Sequence, residues 1–162
     1  MGKIFLFVSM SLDGFIAGAG DTVDLPMGEG GERLHDWMFK GPDATLKDRG
    51  SFKMETTNAE VTAEMFNRSG AWLMGRRMFD HGEKPWGKNP PFKKPVIVVT
   101  HRRHDKIVKG ETSFTFITDG LEAAVKAAKE AAGDKDIVTG GADLPRQLLK
   151  AGLLDEIDIS IV

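Results

Sequence analysis

Four short runs of almost uninterrupted apolar sequence constrain the fold most: Ile4-Phe5-Leu6-Phe7-Val8, Ala71-Trp72-Leu73-Met74, Val96-Ile97-Val98-Val99 and Ile137-Val138. Each is bounded by polar residues or glycine and is too short for a buried helix, so each reads as a strand. A strand with one face in water alternates apolar and polar residues. These do not alternate, and so need cover on both faces. Between them lie stretches with helical spacing. Covered strands alternating with helices imply a single α/β domain with a mainly parallel sheet.

The helical stretches can be read individually. Glu32 to Phe39 carries Leu34, Trp37 and Met38 at helical spacing, while Lys40 to Thr57 has no periodicity and reads as a long loop or lid. Asn58 to Ser69 is a helix with Asn58 as N-cap and Val61, Met65 and Phe66 on one face. A short helix follows from Arg76 to about His81. Gly82 to Pro95 holds four of the seven prolines, a density that reads as a connecting loop. After a strand over Phe114 to Thr118, Asp119 and Glu122 form a capping box for a helix that stops at Gly133. Another amphipathic helix follows Gly140-Gly141 and ends at Lys150-Ala151-Gly152. In Asp155 to Val162, Ile157, Ile159 and Ile161 alternate against Asp158 and Ser160, the pattern of a half-buried strand.

Composition narrows the chemistry. The 162 residues contain no cysteine, which excludes disulfides, thiolate catalysis, zinc-thiolate sites and iron–sulfur clusters. A formal charge of −2 offers no electrostatic footprint for nucleic acid or an anionic membrane. No apolar run approaches the length of a membrane span, and Met1 to Val8 lacks a signal-peptide cleavage site. The cytoplasm is the expected location. His101 and His104 lie three apart without a carboxylate at ligand spacing, so no metal is expected.

Three strands end in the same chemistry. Met74 leads to Gly75-Arg76-Arg77, Val99 leads to Thr100-His101-Arg102-Arg103, and Val138 leads to Thr139-Gly140-Gly141. Glycines let backbone approach a ligand closely, and a following helix offers unpaired N–H groups to an anion. Arginine adds paired donors that match phosphate geometry. Neighbouring strand ends of this kind would suit a ligand with a pyrophosphate and a second, separate phosphate, such as NADPH. The ordinary alternatives are a tight turn for Gly140-Gly141 and a solvated surface for the arginines. The loop Met10 to Gly20 also follows a strand end, where open α/β sheets commonly hold ligands.

These segments, with Ser11-Leu12-Asp13-Gly14-Phe15-Ile16-Ala17, Leu73-Met74-Gly75-Arg76-Arg77-Met78-Phe79, Pro85-Trp86-Gly87, Pro90-Pro91-Phe92, Lys94 to His101 and Ile137 to Ala142, occur in one order along the chain. In that order the sequence resembles the dihydrofolate reductase-like superfamily, and within it the stand-alone relatives of the reductase domain of riboflavin-biosynthesis deaminase/reductases. The resemblance implies a three-layer fold, a central mainly parallel sheet flanked by helices, and NADPH as hydride donor. It carries Gly140, Gly141 and the backbone of Ala142, Asp143 and Leu144 onto the pyrophosphate. Gly75, Arg76 and Arg77 would meet the adenosine end and phosphates, Thr100, His101 and Arg102 the ribose 2′-phosphate, and Ile16 and Ala17 the nicotinamide. Such relatives continue past the position of Val162 with a further loop and strand, so the domain over residues 1–162 is expected to lack its last strands.

Departures from the pattern matter too. Folate reductases carry a tryptophan and an acid around a proline entering the first helix; here that region reads Asp24-Leu25-Pro26-Met27-Gly28-Glu29-Gly30-Gly31. Met78 stands where many reductases place a threonine near the pyrophosphate. The expected activity is therefore NADPH-dependent reduction of a small heterocyclic or sugar-like substrate other than folate. No catalytic residue is assigned; Asp13 is a candidate proton donor whose commoner reading beside Gly14 is a turn former. The alternative is a nucleotide-binding module without catalysis. Beyond a small-molecule substrate, the expected partner is a second copy; a further alternative is a structural or assembly protein that uses the final strand as its dimer contact.

Overall fold

The computed structural model describes residues 2–38 and 57–162. Their elements are, in order, β1 (Ile4–Met10), a 3-10 helix (Gly31–Met38), α1 (Thr57–Arg68), β2 (Ser69–Gly75), α2 (Arg76–Trp86), β3 (Pro95–Val99), β4 (Ile107–Lys109), β5 (Thr112–Ile117), α3 (Leu121–Ala132), β6 (Asp136–Thr139), α4 (Asp143–Lys150) and β7 (Glu156–Ile161). The strands form one sheet in the order β4-β5-β3-β2-β6-β1-β7. Every neighbouring pair is parallel except the β4–β5 hairpin.

The apolar runs occupy the middle of this sheet, covered on both sides as expected. On one face Ile4, Ala71, Leu73, Ile97 and Ile137 pack with Ala124, Val125 and Ala128 of α3 and Leu144 and Leu148 of α4. On the other, Phe5, Phe7, Trp72, Met74, Val96, Val98 and Val138 meet Met65 of α1, Phe79 of α2 and Phe92. Helices on both faces of a sheet make the three-layer α/β architecture. Full burial of a side chain the size of Phe79 or Phe114 contributes about 1.5–3 kcal/mol.

The structure corrects several expectations. Helix α2 does not stop near His81 but runs to Trp86, with Gly82 and Pro85 inside it. Pro85 lies in the last turn, and Gly82 leaves room for the Trp86 indole, whose Cζ2 would stand 2.1 Å from an added Cβ. Trp86 then packs on Phe92 at 4.8 Å between centroids and stacks on Phe114 at 6.1 Å. That aromatic packing outweighs the composition of the segment. At α3 the expected Asp119–Glu122 capping box is not formed. Gly120 occupies the cap and no side chain bonds there. Strand β4 was not expected, because Ile107-Val108-Lys109 is too short to carry a pattern. Glu32 to Met38 is part of a 3-10 helix, and Phe39 lies outside the described residues. So does the loop expected over 40–57, apart from Thr57, which opens α1; Asn58 thus falls inside the helix, with its side chain outside the description.

Strand β7 lies at the sheet edge, and Ile157, Ile159 and Ile161 are exposed rather than half-buried. Their alternation is real, but among the described residues nothing covers that face.

The two ends of the sheet differ in chemistry. At the end where the parallel strands begin, Arg68 bonds Asp136 at 2.8 Å and Glu156 at 2.6 Å, and its guanidinium lies 4.1 Å from the centre of the Phe5 ring. Lys94 closes the end of α1 by donating to the carbonyls of Phe66 at 2.5 Å and Ser69 at 2.7 Å. Charged side chains are thus spent on fastening elements together. The opposite end carries the glycines and helix N-termini.

Candidate functional site

Strand β2 pairs with β3 on one side and β6 on the other, so the three strand ends singled out above are neighbours. Gly75 stands level with Val99, and Leu73 with Thr139. Thr100, Gly75 and Gly140 therefore follow one another along one edge of the sheet. Strand β1 lies beyond β6, with Leu6 level with Thr139, and sends its loop over the same edge.

Gly140 and Gly141 form the turn from β6 into α4. A Cβ on Gly140 would come within 3.3 Å of Met78 Cε, which brings the first turn of α2 against this turn. Gly75 stands close to α4 in the same way, 3.9 Å from Leu144 Cβ to an added Cβ. Gly141 differs: its φ is +79°, and nothing lies within 4 Å of where its Cβ would be. The backbone here faces open space.

Helix α4 also starts at this edge. Ala142 is its cap and no side chain bonds there. The Asp143 carboxylate turns along the helix instead, to Arg146 at 2.5 Å and Gln147 at 2.7 Å. Those bonds, from Arg146 first and then Gln147, hold its carboxyl below the ordinary carboxylate range. Helix α2 likewise begins at Gly75 without a side-chain cap. Thr139 is fully buried, and its hydroxyl oxygen has no hydrogen-bond partner. A buried hydroxyl left unpaired is uncommon, and this one ends the strand that leads into the glycines.

The arginines divide into two groups. Arg76 donates Nε to Asp80 Oδ1 at 2.6 Å, and Arg102 donates Nη2 to Asp80 Oδ2 at 3.0 Å. One carboxylate thus joins the ends of β2 and β3. Arg102 is also fixed through its backbone, whose N–H donates to Thr100 Oγ1 at 3.0 Å. The Thr100 hydroxyl returns a bond to the Arg102 carbonyl, and His101 beside it is exposed. Arg77 turns the other way, to Asp21 at 2.8 Å. The Arg77 bond is the main cause that holds the Asp21 carboxyl below its ordinary range.

Asp21 belongs to the loop after β1, and further contacts hold that loop on α2. Lys84 reaches Asp24 at 3.1 Å, and His81 Nδ1 lies 3.3 Å from the Pro26 carbonyl. The loop closes on itself through a bridge between Ala19 and Glu29, with the Gly18 N–H donating to the Met27 carbonyl at 2.7 Å. Ile16 and Ala17 enter it, half-buried. Asp13 accepts a hydrogen bond from the Ser11 hydroxyl at 2.6 Å, and Ser11 Oγ in turn accepts from the Phe15 N–H at 2.9 Å. These are the bonds of a turn. Deeper in, Trp37 Nε1 donates to buried Ser9 at 2.9 Å. Among the described residues no group of three or more His, Asp or Glu could hold a metal ion.

Sequence reasoning missed Asp80 and Asp21. Asp80 had a signal, since it stands one helical turn from Arg76, where opposite charges pair. Asp21 had none, because its partner lies 56 residues away.

Comparison with known proteins bears on this geometry. The family model described as the RibD C-terminal domain matches residues 2–162. Among solved structures, a crystal structure of a protein from Shewanella sp. PV-4, named for riboflavin biosynthesis, superposes with a TM-score of 0.60 at 20% identity. The match covers 100% of this chain and 78% of that one, and at this identity it bears on the fold alone. No curated protein matches. With the fold, the glycine turn of β6 and the arginine-bearing ends of β2 and β3 in place, the chain belongs to the RibD C-terminal domain family.

Proposed function

We propose that this chain is an NADPH-dependent reductase of the riboflavin-biosynthesis type, transferring hydride to a C=N or C=O centre of a small heterocyclic or sugar-like substrate. The observation that carries the reading is the meeting, on one sheet edge, of an open glycine turn, two uncapped helix N-termini and two arginines joined through one carboxylate. Family membership supports a reductase of this kind.

The residues fit a dinucleotide. Gly140, Gly141 and the backbone of Ala142, Asp143 and Leu144 would take the pyrophosphate, with the unpaired Thr139 hydroxyl close behind. Gly75 would meet the adenosine end, and Arg76 and Arg102, with Thr100 and His101, the ribose 2′-phosphate. Ile16 and Ala17 would lie along the nicotinamide. Arg77 already pairs with Asp21, so in this reading it holds the loop. When bound, NADPH supplies the hydride; the protein supplies binding and orientation.

One observation favours a second reading, a nucleotide-binding module without catalysis. The candidate proton donor Asp13 is engaged in a turn with Ser11. Calorimetric titration with NADPH and NADH tests the common part. NADPH should bind more tightly, and Arg76→Ala or Arg102→Ala should weaken NADPH while leaving NADH nearly unchanged. Equal affinity for the two cofactors would remove the 2′-phosphate site. Turnover against a panel of heterocyclic and sugar-like carbonyl and imine substrates then separates enzyme from module. The cytoplasmic location and the homodimer belong to the same proposal; among the described residues no helix is long and apolar enough to cross a membrane.

A further inference from the structure

We propose that Asp80 is a positioning residue that holds Arg76 and Arg102 as a pair and thereby sets the preference for a nucleotide carrying a ribose 2′-phosphate. The inference rests on the nucleotide-binding reading above and adds to it a residue that touches no ligand.

The geometry is asymmetric in an informative way. Asp80 takes Arg76 through Nε, at 2.6 Å, so the N–H groups on the far side of that planar guanidinium face away from the carboxylate. The rings of Phe79 and Phe116 stand 5.8 and 5.7 Å from its central carbon and restrict its swing. Arg102 is far less enclosed. Its side chain is 70% exposed, and the bond to Asp80 Oδ2 is what holds its far end. Both guanidiniums are thereby fixed over the gap between the ends of β2 and β3, with two positive charges against one negative.

Folding stability accounts for the Arg76–Asp80 pair, which is 21% and 28% exposed, better than for the Arg102 bond. A pair with a partner as exposed as Arg102 contributes little, because water screens the attraction and the long side chain loses freedom. What the arrangement does provide is preorganisation. An anion arriving at this edge finds both arginines already ordered, so ordering them no longer weakens its binding. A carboxylate so near a phosphate site also repels the phosphate. The two effects have opposite signs, and the experiment reads which one prevails.

The probes are adenosine 2′,5′-bisphosphate and adenosine 5′-monophosphate, titrated calorimetrically into the full chain. The wild type should prefer the bisphosphate. Asp80→Ala should weaken the bisphosphate about tenfold, the size of one charge-assisted contact, and leave the monophosphate nearly unchanged. Asp80→Asn, which keeps the shape and removes the charge, should fall between. General loss of structure would lower both ligands together. Bisphosphate affinity unchanged or raised in both variants would overturn the role of Asp80 while leaving the nucleotide site standing. A wild type with no preference, or no binding of either probe, would remove the parent reading and this one with it.

Discussion

Gly141 stands at φ +79° with nothing within 4 Å of an added Cβ, so Gly141→Ala adds one methyl group to open space and one backbone penalty. A residue other than glycine in the left-handed region costs about 1–2 kcal/mol. Alanine's stiffer unfolded chain returns part of that, leaving a net loss of about 1 kcal/mol. For a domain of this size that is a fall of about 2–4 °C in melting temperature. Gly133 supplies the control. It caps α3 at φ +63°, equally open, at the sheet end where β6 begins rather than where it ends. Gly133→Ala should lose at least as much stability, because ψ −125° puts the position outside the left-handed helical well.

Ligand binding should separate the two variants. If the β6 turn takes a pyrophosphate, the new methyl group at residue 141 holds it off the N–H groups at the start of α4. Loss of one charge-assisted hydrogen bond costs about 1.5–3 kcal/mol, which is about a 10- to 100-fold weaker NADPH complex. Thermal melts and calorimetric titration on both variants are the assay. Gly141→Ala should lose affinity and Gly133→Ala should keep it, although Gly133→Ala loses at least as much stability. Unchanged NADPH affinity in Gly141→Ala would refute the assignment of this turn to phosphate.

Three further outcomes follow from the structure. Glu156 has its carboxyl lowered to about 2, first by the Lys3 hydrogen bond and then by Arg68. A depressed carboxylate stabilises the fold above its unfolded value of 4.5, and that contribution is lost as pH falls toward 2. In urea melts the advantage of wild type over Glu156→Gln should therefore shrink between those values, and a constant difference would contradict the assignment. Gly82→Ala must displace the Trp86 indole and should destabilise by about 1–3 kcal/mol, with loss of the near-ultraviolet tryptophan signal; an unchanged melt would contradict the packing. The exposed isoleucines of β7 are the expected homodimer contact: sedimentation should find a dimer that Ile159→Asp converts to monomer, and a wild-type monomer would remove that expectation.

What was legible in the sequence follows a physical division. The central strands could be read because burial on both faces demands an unbroken apolar run, as in Val96-Ile97-Val98-Val99. The strand ends could be read because glycine at a strand-to-helix turn has few substitutes, and β3, β2 and β6 do lie side by side. Errors arose where tertiary packing overrode a local rule. Trp86 found two aromatic partners, and so α2 continued through Gly82 and past Pro85. Edge strands were misread for the related reason that pattern reports alternation but not cover. Ile157, Ile159 and Ile161 alternate as a half-buried strand would, yet nothing among the described residues lies over them.

The site divides in the same way. Gly140-Gly141 and the arginines are visible as residue types at strand ends; of the acids that aim those arginines, Asp80 shows only as a residue one helical turn from Arg76, and Asp21 not at all. Arg76 and Arg77 are adjacent in sequence, and residue type alone makes them equivalent phosphate ligands. The fold separates them: Arg76 turns to Asp80 and faces Arg102, while Arg77 turns to Asp21 and fastens the loop after β1. Neighbouring residues on a helix point about 100° apart, and here that angle sends Arg76 toward Asp80 and Arg77 toward Asp21. It also yields different consequences for the two alanine variants. Arg76→Ala should act on nucleotide selectivity, and Arg77→Ala on the order of residues 17–31.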